Sequence, residues 1–227
     1  MIPVAVIIPY FKKRKFIEKT INSIKYQTYK NLEIIIVYDD EDHSDLRLIK
    51  RIKDSDDRIK LIVNKKSLGA GRSRNIGIKH AKASYIAFLD ADDFWKQNKV
   101  ELQLKLMIKN NLEISHTSYE ILGKNQKIKK IMRAKNFMNY RQLLPSCDIG
   151  LSTVMLKKRL ITKNCRFPKL KTKEAVMNPN TEEIDSSRNI IYEMQSQNGN
   201  DLKIVEDQTL RSKEIEIVGL YDPAENG

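Results

Sequence analysis

Cysteine is nearly missing from this chain of 227 residues, which has only two, Cys147 and Cys165. Two thiols this far apart form neither a disulfide framework nor the closely spaced pairs of a structural zinc site. The scarcity is typical of a protein from a reducing compartment, and we expect both cysteines to be ordinary thiols. The three histidines are scattered without metal-ligand spacing and add no metal site.

A long uninterrupted apolar run is also missing, since no stretch approaches the length of about 18 residues that crosses a bilayer. At the N-terminus the apolar residues of "MIPVAVIIPY" precede the basic residues of "FKKRK", whereas a secretory signal has the opposite order. We therefore expect no export signal and a cytoplasmic protein. Hydrophobic residues make up 41% of the chain, which is enough to build a core.

Acidic residues are in the minority up to residue 174 and in the majority after it. Residues 1–174 carry 38 lysines and arginines against 18 acids, whereas residues 175–227 carry 4 against 11. The reversal predicts a boundary near Glu174. The basic part favours polyanionic partners, which include nucleic acid, anionic lipid headgroups and phosphorylated ligands.

Apolar strands and amphipathic helices alternate along the first 110 residues. Continuous apolar runs predict strands buried on both faces, at 4–10, 32–40, 58–64 and 84–93. Apolar residues at helical spacing predict helices between them and one more after the fourth. This order predicts an α/β fold with a mixed, mostly parallel sheet flanked by helices. In such sheets ligands bind at the carboxyl ends of the strands.

Weaker patterns follow residue 110. Alternating apolar residues predict short strands within 113–133, and "YRQLLPS" predicts a short helix at 140–146. Residues 149–161 predict a strand followed by the start of a helix. Beyond residue 175 turn signals dominate, and the one predicted strand is "EIEIVGL" at 214–220.

The stretch "YIAFLDADDFW" at 85–95 places three carboxylates, Asp90, Asp92 and Asp93, at the end of a predicted buried strand. A single acid in this position commonly caps the next helix. Three acids within four positions repel one another and raise each other's pKa values, and a divalent cation removes that cost. Mg²⁺ and Mn²⁺ prefer oxygen ligands, often one or two carboxylates completed by diphosphate oxygens. The segment therefore predicts a metal that bridges the protein to a diphosphate.

The ordered set "VIIPYF", "QTYKNLEIIIVYDD" and "LGAGRSRNIGIKHAKASYIAFLDADDFW" resembles the family 2 glycosyltransferases. The resemblance is close over residues 3–110 and looser through "CDIGLSTVMLKK" to "FPKLKTKE". It implies the GT-A fold, with an atypical C-terminal segment here. It also implies transfer of a sugar from a nucleotide diphosphate donor, usually with inversion, in bacterial surface polysaccharide synthesis. The implied organisation is a nucleotide-sugar-binding half (1–110), an acceptor-side part of the same domain (111–174) and an acidic segment (175–227).

The resemblance implies a nucleotide-binding end made by the first two strands and the glycine-rich loop. Uracil N3–H is a hydrogen-bond donor that suits a carboxylate. This chain has "YDDED" where many members have "DDGS", so the choice between Asp39 and Asp40 stays open. The implied donor-binding residues at this end are Pro9, Tyr10, Phe11, Asp39, Asp40 and Gly69.

A second group of implied residues surrounds the diphosphate. Arg74, with Arg72 nearby, would contact the diphosphate or organise the acids, or would form a salt bridge inside the fold. Asp90, Ala91 and Asp92 match the family's Asp-x-Asp segment, and Asp92 with Asp93 would hold Mn²⁺ or Mg²⁺. Trp95 would lie near the sugar pocket or in the core.

The general base is the point where this chain departs from the family pattern. Relatives use the Asp of a Glu-Asp pair, but here Glu174 is followed by Ala175. Three explanations remain open. The reading frame was disrupted, which leaves a truncated enzyme with a foreign tail; Glu174 itself is the base; or a later acid among Glu182, Glu183 and Asp185 folds back into the site.

Several alternatives remain beside this interpretation. A nucleotidyltransferase of the same fold would carry an N-terminal glycine-rich signature, and a receiver domain would carry a lone phosphoacceptor Asp. A nucleic-acid binder would interleave aromatic residues with its lysines, so no nucleic-acid partner is expected. A family member that only binds donor is the remaining alternative. The expected partners are a nucleotide-sugar donor and a saccharide or lipid-linked acceptor, with peripheral contact to the anionic inner face of the membrane.

Overall fold

Ten strands and four helices form in the part of the chain that the computed structural model describes, residues 1–123, 126–134, 149–161, 167 and 218–221. The strands are β1 (Val4–Tyr10), β2 (Leu32–Tyr38), β3 (Ile59–Val63), β4 (Tyr85–Phe88), β5 (Phe94–Trp95), β6 (Ile114–Ser115), β7 (Tyr119–Leu122), β8 (Ile128–Met132), β9 (Met155–Lys157) and β10 (Val218–Tyr221). The helices are α1 (Ile17–Lys25), α2 (Leu46–Asp54), α3 (Ala70–His80) and α4 (Lys99–Lys109).

The central sheet has six strands in the order β3-β2-β1-β4-β9-β6. Its first four strands are parallel, and β9 pairs antiparallel with both β4 and β6. β1 is buried along its whole length and β2 at all but one position, because helices cover both faces. This arrangement brings the carboxyl ends of β1, β2, β3 and β4 to one edge.

The helices cover the two faces of this sheet. The apolar residues of α1, α2 and α4 join one core cluster with alternate residues of β1 and β2. α3 packs on the other face, together with Leu151, Val154 and Phe167. Gly77 lets α3 approach closely, since a Cβ there would lie 2.5 Å from Ile7 Cγ2.

A second sheet has four strands in the order β5-β10-β7-β8. β5 comes directly after the acidic segment of residues 90–93, so this sheet begins beside it. β8 is an edge strand, and its residues from Ile128 to Ile131 are exposed. The sheet therefore adjoins the edge of the central sheet at which the parallel strands end.

The predicted α/β fold, with its mostly parallel sheet flanked by helices, is confirmed. All four predicted strands of the first 110 residues form, β1 with its expected bounds and the others with ends that differ by at most five residues. Residues 149–161 differ in detail, because 3₁₀ turns at Leu151–Thr153 and Lys158–Leu160 flank β9. The predicted helix at 140–146 lies outside the described residues. In the described segments no helix is long and apolar enough to cross a membrane.

Candidate functional site

The acidic residues predicted to bind the donor follow β2 and β4 at the carboxyl edge of the central sheet. Asp39 and Asp40 follow β2, and Asp90 to Asp93 come after β4. β1 lies between these two strands and ends at Tyr10. The site therefore has two ends, which we call the Asp39 end and the Asp92 end.

Asp39 holds the loop that leads into α3. Its carboxylate is buried and accepts hydrogen bonds from the backbone N–H groups of Leu68 (2.9 Å) and Gly69 (2.8 Å) and from Asn64 Nδ2 (2.6 Å). Gly69 has a φ of 85°, a conformation that glycine adopts without strain. The carboxylate thus fixes the glycine-rich loop against the end of β2.

Asp40 is as buried as Asp39 but accepts fewer hydrogen bonds. Its Oδ1 accepts one long hydrogen bond, 3.4 Å, from the backbone N–H of Asp42. Its Oδ2 has no hydrogen-bond partner among the described residues. A buried carboxylate oxygen without a donor is costly, and a ligand N–H at this point would remove that cost.

The aromatic residues at the end of β1 differ in exposure. Tyr10 is buried, stacks on Tyr38 with ring centroids 5.3 Å apart, and donates a 2.6 Å hydrogen bond to Asp45. Burial, followed by the bond to Asp45, raises the pKa of the Tyr10 phenol well above its usual value. Pro9 is buried as well. Phe11 is 48% exposed, so its ring is the one at this point that a ligand can reach.

Arg74 links α3 to the acidic segment. Its Nη2 donates to Asp90 Oδ1 at 2.6 Å, and its guanidinium lies 5.3 Å from the centre of the Phe167 ring. Its Nε is buried without a hydrogen-bond partner among the described residues. The salt bridge inside the fold that the sequence left open is therefore present. Arg72, two residues earlier on α3, is half-buried.

Ser152 contacts the acidic segment of residues 90–93, which the sequence did not predict. Its hydroxyl donates to Asp93 Oδ2 at 2.5 Å and accepts from the backbone N–H of Asp90 at 3.0 Å. Its carbonyl accepts a 2.8 Å hydrogen bond from Trp95 Nε1. Ser152 is fully buried, so it holds the acidic segment from beneath and does not face an acceptor. Trp95 is likewise a core residue, 3% exposed.

A buried lysine lies behind Trp95. Lys99 Nζ is 3.9 Å from the centre of the Trp95 ring and has no hydrogen-bond partner within the described part of the chain. Burial lowers the pKa of Lys99 to about 7. Nothing in the sequence distinguished this lysine from the other lysines of the chain.

The fit of a divalent cation rests on Asp92. Its side chain is 18% exposed, and Lys13 Nζ lies 2.7 Å from its Oδ2, so a cation already occupies part of its coordination space. Asp93 is buried against Ser152. Among the described residues no three His, Cys, Asp or Glu side chains form a metal cage. The residues fit a cation held by one or two carboxylates and completed by a ligand, as Mg²⁺ and Mn²⁺ commonly are.

The predicted general base cannot be placed in this geometry. Glu174, Glu182, Glu183 and Asp185 all lie outside the described residues. Gly69, Arg74, Asp90, Ala91 and Asp92 lie along the described edge, with Ala91 buried between the two acids.

A mostly parallel sheet with a glycine-rich loop, an Arg74–Asp90 ion pair and an acidic segment at one edge is typical of nucleotide-binding α/β domains. A family model described as Glycosyl transferase family 2 matches residues 5–167. The chain belongs to this family.

Similar proteins agree with this assignment. The chain is 39% identical over 158 residues to the Escherichia coli UDP-Glc:alpha-D-GlcNAc-diphosphoundecaprenol beta-1,3-glucosyltransferase WfgD, covering 70% of this chain and 61% of that protein. The chain thus spans about three fifths of the length of this relative. A second Escherichia coli protein with the same printed activity, WfaP, is 38% identical to this chain over 165 residues, covering 73% of this chain and 64% of that protein.

Solved structures share the fold at low sequence identity. S. aureus TarS 1–349 in complex with UDP-GlcNAc matches with a TM-score of 0.71 and 16% identity, over 97% of this chain and 59% of that one. The Pyrobaculum calidifontis mannosyltransferase PcManGT in complex with GDP-Man and Mn²⁺ matches with a TM-score of 0.55 and 17% identity, over 74% and 48%. These likenesses establish the GT-A type fold.

Proposed function

We propose that this chain is the donor-binding part of an inverting glycosyltransferase that moves a sugar from a UDP-sugar to a lipid-linked or saccharide acceptor. The observation that carries the proposal is the single sheet edge with an acidic pair at one end and an Arg-held acidic segment at the other. Within the chain, residues 1–110 would bind the nucleotide-sugar and residues 111–174 would form the acceptor side.

The Asp39 end would receive the nucleotide base. Asp39 and Asp40 both offer carboxylate oxygens to the uracil N3–H; Asp39 already accepts from loop N–H groups, and Asp40 has an oxygen without a donor. Phe11 would pack against the base or ribose, while Pro9 and Tyr10 support it from the core. Gly69 would let the loop backbone approach the donor.

The Asp92 end would hold the diphosphate. Asp90, oriented by Arg74 and Ser152, would bind the ribose side of the donor, and Arg72 would approach the phosphates from α3. Asp92 with Asp93 would hold Mn²⁺ or Mg²⁺, which supplies positive charge for the leaving diphosphate. Lys13 would then exchange its contact with Asp92 for a phosphate oxygen.

The transfer itself requires a base on the acceptor side. The acceptor hydroxyl oxygen attacks the anomeric carbon, the bond from that carbon to the diphosphate oxygen breaks, and UDP leaves. The hydroxyl proton passes to a carboxylate, for which Glu174 is our candidate.

Peripheral contact with an anionic membrane would bring the enzyme to a lipid-linked acceptor. Residues 126–131, which include β8 up to Ile131, form an exposed run that contains two isoleucines and the lysines Lys127, Lys129 and Lys130. Apolar side chains and lysines on one edge strand suit an anionic lipid surface. Cosedimentation with phosphatidylglycerol vesicles, but not phosphatidylcholine vesicles, would support this surface, and equal sedimentation with both would contradict it.

Calorimetric titration of UDP into the full chain, with and without Mn²⁺, tests the donor site. We expect Mn²⁺-dependent binding that Asp92→Ala abolishes or weakens at least about tenfold, since it removes a carboxylate ligand. Asp57→Ala is the matched control, because Asp57 is exposed just before β3 at the opposite edge of the sheet. Comparing Asp39→Asn with Asp40→Asn identifies the base contact. Absence of UDP binding in both conditions would overturn the proposal.

A further inference from the structure

A cavity of about 300 Å³ opens beside Asp92, between the start of α1, β5 and the β7–β8 hairpin. Its volume lies at the lower end of the range for ligand pockets. Its walls include Lys15, Lys19, Phe94 and Leu122, with Asp92 at one side. No residue of the Asp39 end contributes to its lining.

Two lysines and one acid, Asp92, are the charged residues that line this cavity. Lys19 Nζ lies 3.7 Å from the centre of the Phe94 ring and donates a 2.6 Å hydrogen bond to the neutral Gln126. Within the described residues neither Lys15 nor Lys19 forms an ion pair with an acid, and the one acid of the cavity, Asp92, is paired with Lys13. Two cations without acidic partners beside an apolar wall favour an anionic ligand with an apolar or ring-shaped part.

The cavity is tied firmly to the acidic segment. Thr20 on α1 donates a 2.9 Å hydrogen bond to the carbonyl of Ala91, and Thr20 also lines the cavity. A ligand in it would therefore lie within a fixed distance of Asp92 and of any diphosphate bound there.

We propose that this cavity binds the sugar–phosphate end of a diphosphate-linked acceptor, with Lys15 and Lys19 on the phosphates and Phe94 against the sugar ring. The inference rests on the proposed function, because it assumes that the donor diphosphate is held at Asp92. A neutral donor sugar would not need two lysines without acidic partners. Leu122 and the hairpin would face the lipid-bearing side of the acceptor.

The test is calorimetric titration of two probes into the full chain saturated with UDP and Mn²⁺. One probe is an octyl diphosphate ester of N-acetylglucosamine, and the other is octyl N-acetylglucosaminide without phosphate. We expect Lys15→Ala/Lys19→Ala to weaken the diphosphate probe at least about tenfold, with little effect on the other probe. Lys79→Ala/Lys82→Ala, which removes the same charge from exposed positions, should change neither.

The outcomes separate the two proposals. If the unaltered chain binds no UDP, the proposed function fails. The diphosphate probe is then titrated without UDP. Weaker binding of this probe to Lys15→Ala/Lys19→Ala than to the control variant would still support the cavity as its binding site. Equal affinity of the cavity variant and the control variant for the diphosphate probe overturns the inference. The inference is also overturned if the cavity variant binds UDP-glucose more weakly but binds UDP as the unaltered chain does, because the cavity would then hold the donor sugar.

Discussion

The two ends of the candidate site hold their acids in different ways. At the Asp39 end the main contacts come from backbone N–H groups of a loop whose shape depends on Gly69. At the Asp92 end they come from the side chains of Arg74, Ser152 and Lys13. Backbone donors are fixed by the fold, whereas a lysine can leave. The difference indicates that the Asp39 end is preformed and that the Asp92 end is the part that can rearrange around a ligand.

Asp39→Ala should have the largest effect, because it removes a buried carboxylate that holds a whole loop. Three strong hydrogen bonds are lost, and the backbone N–H groups of Leu68 and Gly69 lose their acceptor. We expect a loss of about 3 kcal/mol in the free energy of unfolding, measured by urea denaturation. A loss no larger than that of the exposed control Asp57→Ala would mean that the loop is not fixed by Asp39.

Lys99→Met tests the charge behind the Asp92 end. The folded-state pKa of Lys99, about 7, lies below the usual lysine value. The unfolded chain therefore binds more protons between about pH 7 and pH 10, and this group makes stability rise with pH across that window. Below pH 7 its destabilising effect is greatest.

Replacing this lysine by an apolar side chain of similar length should stabilise the protein by about 1–3 kcal/mol at pH 6–7. It should also flatten the dependence of stability on pH above 7. Urea denaturation at pH 6, 7, 8 and 9 measures both effects. Lys79→Met, on the exposed end of α3, is the control. A destabilised Lys99→Met variant at pH 6 would show that the contact with the Trp95 ring outweighs burial.

Ser152→Ala should have a moderate effect confined to the Asp92 end. It removes the 2.5 Å bond to Asp93 and the acceptor for the Asp90 N–H, at a cost of about 1–2 kcal/mol in the free energy of unfolding. Mn²⁺-dependent UDP binding should weaken more than metal-free binding. Ser118→Ala is the control, because it also removes a serine hydroxyl that accepts a backbone hydrogen bond, but outside the site. Equal weakening under both conditions would show that Ser152 does not position the metal-binding acids.

Lys13→Ala should have the smallest effect on stability. The pair is partly exposed, with Lys13 36% accessible, so its loss should cost less than about 1 kcal/mol. Mn²⁺ affinity in the absence of UDP should rise, because Asp92 no longer has a competing cation. Unchanged Mn²⁺ affinity would contradict the view that the Asp92 end rearranges around a ligand while the Asp39 end is preformed.

The sequence predicted the parallel strands of the central sheet well, because a strand that is buried on both faces must be apolar at almost every position. It also predicted which acids reach the edge, since that follows from where strands end. It could not separate Asp39 from Asp40, because the distinction depends on backbone groups almost thirty residues later. The contact between Ser152 and Asp93 was not predicted for a similar reason: the two residues are 59 positions apart, and a serine in an apolar stretch has no special pattern.

The antiparallel pairing of β9 with β4 has a consequence for the order of assembly. During synthesis all four parallel strands leave the ribosome well before β9 and Ser152 do. Until then β4 lacks a neighbour on one side, and Asp93 lacks the serine that orients it. The acidic segment is therefore completed late, and a nascent chain that ends near residue 110 would have a sheet but no finished site.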